Sequence, residues 1–179
     1  MSKVSLIILT IVISAALTIT ACAPTSCPGI GKEAPNFTLK TIHGESMSLN
    51  DFRGKPVFIN FWAIHCPYCL SEMSLIQSVY NKWSNQGLVI LSINIRDSAP
   101  ATSKFITAQE LTFTVLIDTG MEVFNSYCLR QAIPVTLLIS TEGNLTAIKA
   151  GNFRSQAEIE SFLLPCISSA KAGHIGLEH

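Results

Sequence analysis

Cys66 and Cys69 stand with Pro67 and Tyr68 between them, directly after the apolar run Val57-Phe58-Ile59-Asn60-Phe61-Trp62. Behind them Leu70, Met73, Ile76, Val79 and Trp83 recur at three- and four-residue steps, the spacing of a helix with one apolar face. The pair therefore sits where a strand turns into a helix, with Cys66 at the helix start and Cys69 one turn in. The free N–H groups and partial positive charge of a first helical turn favour a thiolate over a thiol. A lowered pKa makes Cys66 a nucleophile near neutral pH, and Cys69 is close enough to close a disulfide with it. The chemistry on offer is a reversible dithiol/disulfide couple. The alternative use of such a pair is a zinc site, which needs further ligands at similar spacing. Cys128 and Cys166 each lack a second ligand two to four residues away, so neither metal nor cofactor is expected. A CxxC beside a strand–helix pattern points to redox work. Pro67 suits the first helical turn, where its missing N–H is not needed, and Tyr68 adds bulk without charge.

The elements that must hold this pair follow in order. Pro35 to Thr41 alternates as a strand does, His43-Gly44-Glu45 turns, and Ser46 to Leu49 returns as a hairpin arm. Asn50 or Asp51 opens a short turn that ends at Gly54. Lys55 to Trp62 reads as a central buried strand, followed by the Cys66 helix, which ends near Gly87. Leu88 to Ile95 is a second buried strand. Ala101 to Leu111 is a helix with Ser98 or Thr102 as its cap, Phe113 to Ile117 a strand, and Met121 to Tyr127 a short helix. Val135 to Ser140 and Leu145 to Lys149 flank Glu142-Gly143-Asn144 and form a hairpin. Ser155-Gln156-Ala157-Glu158 is a capping box whose helix turns Ile159, Phe162 and Leu163 inward and is expected to stop at Pro165. Strands alternating with helices, then an antiparallel hairpin and a last helix, give an α/β sandwich with a mixed sheet.

The chain has 179 residues and no formal net charge, which suits one folded domain and argues against nucleic acid as a partner. Lys3 precedes a charge-free stretch, Val4 to Ala23, rich in Leu, Ile, Val and Ala. Residues 1–22 read either as a signal peptide or as an uncleaved membrane anchor. Ile19-Thr20-Ala21-Cys22 resembles a bacterial lipoprotein signal, which makes Cys22 the candidate lipidation site. Either reading exports and tethers the domain. Residues 23–33 read as a linker, 34–167 as the domain, and 168–179 as a loose tail.

From about Ile30 to Leu164 the chain resembles the TlpA/ResA family of membrane-tethered thioredoxin-like proteins. The matching signals are Ala34-Pro35-Asn36-Phe37-Thr38-Leu39, Leu49-Asn50-Asp51-Phe52-Arg53-Gly54-Lys55, Phe61-Trp62-Ala63, the CxxC, Ile133-Pro134 before a strand, and Gly151. The resemblance implies a thioredoxin fold with an N-terminal β-hairpin extension and a central insertion, here roughly Arg96 to Thr112. It implies that Ile133–Pro134 is a cis pair facing the CxxC, which exposes the Ile133 backbone to a substrate strand. Trp62, His65, Pro67 and Tyr68 are the other expected substrate contacts. Glu72 falls where the family carries an acidic residue. Buried, it would relay a proton to Cys69; exposed, it would be an ordinary helix carboxylate. His65 as a cation would stabilise the Cys66 thiolate, and as a neutral loop residue would not. Asn60 stands where thioredoxin has a buried acid.

The implied activity is thiol–disulfide exchange with exported proteins, with a membrane thiol-disulfide reductase as electron donor. The family suggests a reductant, acting on sites such as the CxxCH of apocytochromes c. Oxidase or isomerase activity uses the same residues. A thiol peroxidase would carry Thr or Ser where this chain has Ala63, and copper-delivery relatives have three residues between their cysteines. For the remaining cysteines, either a Cys128–Cys166 disulfide or two buried thiols is expected, with Cys27 left over.

Overall fold

The computed structural model describes residues 27–130 and 132–174, the last seven as backbone only. The segment expected as signal peptide or anchor, with Cys22, lies outside the described residues. Among those described, no helix is long and apolar enough to cross a membrane.

Seven strands form one mixed sheet in the order β2-β1-β5-β4-β3-β6-β7. The strands are β1 (Thr38–Thr41), β2 (Ser46–Ser48), β3 (Val57–Trp62), β4 (Val89–Asn94), β5 (Thr114–Ile117), β6 (Val135–Ile139) and β7 (Leu145–Ala150). The helices are α1 (Pro67–Trp83), α2 (Ala99–Ala108), α3 (Glu122–Ser126) and α4 (Gln156–His174). β3, β4 and β5 run parallel, while β6 and β1 lie antiparallel to their neighbours β3 and β5. The hairpin in front thus extends the sheet at the β5 edge, and α2 fills the insertion.

All six residues of β3 are buried, as a strand covered on both faces requires. Alternation sends Val57, Ile59 and Phe61 to one layer, with Phe37, Phe124 and Tyr127. It sends Phe58 and Trp62 to the other, with Met73, Ile76 and Val79 of α1 and Ile159 and Leu163 of α4. Burying a side chain of this size contributes about 2–3 kcal/mol. α1 closes through a short 3-10 turn onto Gly87, whose φ of 93° is left-handed and favours glycine. α3 has no side-chain cap at Met121; instead Asp118 accepts from the backbone N–H groups of Glu122 and Phe124 at 2.9 and 3.0 Å.

Three expectations are corrected. α4 does not stop at Pro165 but runs on to His174, through the start of the tail. The Pro φ is already helical, and the buried Leu163 and Cys166 flank Pro165 on the inward face, so packing offsets the forfeited hydrogen bond. Part of the stretch read as a linker is fastened to the domain: Gly31 N donates to Leu145 O (2.7 Å) and Leu145 N donates to Lys32 O (2.9 Å). β1 begins only at Thr38: its partner β2 ends at Ser48 and gives way to a 3-10 turn, Leu49–Phe52, which leaves Pro35 and Asn36 no strand to pair with, and the Pro35 carbonyl accepts from the Tyr127 hydroxyl at 2.9 Å.

Candidate active site

Cys66 is the N-cap of α1, with Pro67 in the first turn. Its Sγ accepts from the Cys69 backbone N–H at 3.2 Å, so a helix N-terminal donor points at the sulfur that must carry negative charge. Cys66 and Cys69 are joined as a disulfide with Cα atoms 5.2 Å apart. Cys66 is half-buried, whereas Cys69 is fully buried beneath it. That asymmetry leaves one sulfur for a partner to reach. Cys66 Sγ also lies 3.6 Å from the Ile133 carbonyl oxygen, across the site. The Ile133–Pro134 bond is cis. The Pro134 carbonyl is itself occupied by Gly151 N at 2.9 Å, which ties the end of β7 to this loop.

Glu72 is fully buried, three residues beyond Cys69 and on the same face of α1. The exposed-carboxylate alternative is thereby removed. Its Oε1 accepts from Asn60 Nδ2 at 2.9 Å and its Oε2 from Phe153 N at 2.8 Å. Burial raises its pKa from 4.5 to about 7, against the opposing pull of those two bonds and of Lys149. Folding therefore favours the protonated form. Stability is full below the unfolded value and falls as pH rises from about 4.5 to about 7, by roughly 3 kcal/mol in all. Glu72→Gln should flatten this slope, as read from urea midpoints between pH 4.5 and 7.5. An equal slope in the variant would assign the effect elsewhere.

The other expected contacts divide. His65, Pro67 and Tyr68 are exposed, Tyr68 at 69%, and Ile133 is half-buried. Trp62 is a correction: it is fully buried, its ring 5.5 Å from that of Phe105 on α2, so it backs the site from within rather than meeting a partner. It is the last residue of β3, and the even alternation that buries Phe58 carries Trp62 to the same layer.

Sequence reasoning missed Asp97 and Thr136, and marked Asn60 only as the place of an absent acid. Asp97 Oδ2 accepts from Ile64 N at 2.8 Å and from Asn94 Nδ2 at 2.9 Å, fixing the loop that leads into Cys66. Asn60 and Thr136 face each other across β3 and β6 and are joined by a 3.1 Å hydrogen bond. Each is a polar interruption of an apolar run, which was the available signal. The remaining cysteines also differ from expectation. Cys128 pairs with Cys27, not Cys166. The sheet separates the alternatives: Cys166 is buried in the α1/α4 layer, while Cys128 follows α3 on the opposite face. Cys166 is the one free thiol among the described residues, and its Sγ lies 3.4 Å from Thr146 Oγ1.

Residues 30–148 match the model of the AhpC/TSA family. The chain is 33% identical over 133 residues to the thiol-disulfide oxidoreductase ResA of Halalkalibacterium halodurans, covering 74% of each. It is 33% identical to ResA of Bacillus subtilis, covering 68% of this chain and 67% of that one. Among solved structures, a thiol:disulfide interchange protein from Chlorobium tepidum TLS superposes with a TM-score of 0.69 at 26% identity, covering 76% of this chain and 96% of the other. StoA from Bacillus subtilis superposes at 0.62 with 25% identity, covering 72% and 95%. With a thioredoxin fold, a CxxC disulfide at the end of its central strand and these relatives over most of its length, the chain belongs to the TlpA/ResA family of thioredoxin-like thiol-disulfide oxidoreductases.

Proposed function

We propose that this oxidoreductase works outside the cytoplasm, tethered through its N-terminus, as a reductant of disulfides in exported proteins. Apocytochrome c is the favoured substrate and a membrane thiol-disulfide reductase the electron donor. The observation that carries the reading is the pairing of a half-buried Cys66, facing a helix N–H, with a buried Glu72 one turn beyond Cys69. In the dithiol form, the Cys66 thiolate attacks a partner disulfide and one partner sulfur leaves as thiolate. Cys69 passes its proton to the Glu72 carboxylate and attacks the Cys66 sulfur. The Cys66–Cys69 disulfide forms, the mixed disulfide breaks, and the second partner sulfur leaves with the electron pair. Glu72 then returns its proton to solvent. His65, Pro67, Tyr68 and the Ile133 backbone meet the partner strand, and Pro134 shapes that surface. Tethering at Cys22, as lipoprotein or by an uncleaved helix, raises the effective concentration of a membrane donor.

The experiment is the reduction potential of the CxxC equilibrated against glutathione. A value below about −180 mV supports reduction, and one near −120 mV would replace it with an oxidase. Glu72→Gln should also change the pH dependence of exchange around pH 7, where Glu72 of the folded protein loses its proton. An unchanged profile would remove Glu72 from the proton path.

A further inference from the structure

Asn60 is fully buried in the middle of β3, yet its Oδ1 has no hydrogen-bond partner among the described residues. Its Nδ2 is doubly used, donating to Glu72 Oε1 at 2.9 Å and to Thr136 Oγ1 at 3.1 Å. An unpaired buried carbonyl oxygen is costly and calls for an explanation. The partners supply one. With Phe153 N donating to Oε2, both oxygens of Glu72 face donors, which is the arrangement an ionised carboxylate needs. A protonated Glu72 has an O–H to place, and neither Phe153 N–H nor Asn60 Nδ2 can accept it. Rotating the Asn60 amide by about half a turn exchanges its N and O positions. Oδ1 then accepts from Glu72 Oε1–H, and from Thr136 Oγ1–H, because a hydroxyl both donates and accepts. One amide atom is unpaired in either setting.

We infer that Asn60 is a positioning residue whose carboxamide turns over with the protonation state of Glu72, donating to the carboxylate and accepting from the carboxylic acid. The carboxyl group thus keeps one place and one orientation while its proton comes and goes. An aspartate at this position would present only acceptors to the carboxylate when ionised; the amide serves both states without adding charge. The other charged groups that act on Glu72 are Lys149 on β7 and Glu158 on α4, which are paired with each other at 3.0 Å; Cys69 on α1 is held in the disulfide and carries no charge. The consequence for exchange rests on the proposed relay between Cys69 and Glu72; the turnover itself does not.

The test is a pH titration of the oxidised full chain, in which the CxxC does not ionise, followed by NMR of 13C-labelled Glu and 15N-labelled Asn side chains. Burial raises the Glu72 pKa to about 7, which puts both forms within reach. The Asn60 NH2 protons should hold hydrogen-bonded shifts above the Glu72 midpoint and lose them below it, on the same curve as the Glu72 carboxyl carbon. Asn60 protons that stay hydrogen-bonded through Glu72 protonation would overturn the turnover. As a second reading, Asn60→Ala should raise the proton affinity of Glu72 about tenfold, since the anion loses a charge-assisted bond and the acid a weaker neutral one. The pH profile of exchange should move with it. An unchanged Glu72 midpoint in this variant would refute the positioning role. If instead the relay reading is at fault, Glu72→Gln leaves the exchange profile unaltered while the Asn60 turnover in the unmutated chain persists.

Discussion

Cys69→Ser is expected to stop the reaction halfway, with a partner covalently attached to Cys66 in nearly one-to-one yield. The half-buried Cys66 sulfur receives the Cys69 N–H at 3.2 Å, so its thiolate survives near neutral pH and attacks. Without a second sulfur beneath it, nothing expels the partner. Cys66→Ser should form no such adduct, because Cys69 is fully buried and cannot reach a partner disulfide. The measurement is non-reducing electrophoresis and mass spectrometry after mixing each variant with an oxidised protein substrate. Capture by Cys69 in the Cys66→Ser variant would reverse the assignment of the two sulfurs. Alkylation at graded pH adds a check: Cys66 in the reduced protein should react well below the ordinary thiol value of about 8.5, with Cys69 protected.

Replacing Cys27 and Cys128 together by Ser should be the most destabilising change outside the hydrophobic layers. Their disulfide closes a loop with a sequence separation of 101, for which chain entropy alone assigns about 4–5 kcal/mol at 25 °C. The arm keeps its backbone bonds from Gly31 and Ala34, so the folded state should retain its shape while the unfolded state gains freedom. Urea unfolding of the oxidised proteins would measure this. A loss under about 1 kcal/mol would mean that the denatured chain already holds these residues together or that the bond strains the fold. Exchange at Cys66 with a small disulfide should be unaffected, because Cys128 follows α3 in one layer while Cys69 is buried in the other.

The parts of this protein that could be read from its sequence are those set by local pattern. The β3 run, the α1 periodicity and the CxxC at their junction all depend on neighbours within a few residues, and they lie where spacing puts them. Glu72 was visible as a candidate, but its burial was not: Phe153, which covers and hydrogen-bonds it, lies 81 positions away in the chain. Asn60 looked like a missing acid, and only the β3–β6 register brought Thr136 to it. Cys27 escaped pairing because its segment has no periodicity of its own. Pro165 misled for the opposite reason, since a strong local breaker was overridden by the inward packing of Leu163 and Cys166.

Cys166 carries a consequence of a different kind. With the other two pairs oxidised, it is the one free thiol among the described residues, 2% exposed and with its thiol pKa pushed up by burial. A thiol reagent in solution meets it only when α4 lifts from the sheet. The speed at which the oxidised chain is labelled at Cys166 is therefore a stopwatch on the departure of that helix from the layer it shares with Cys69.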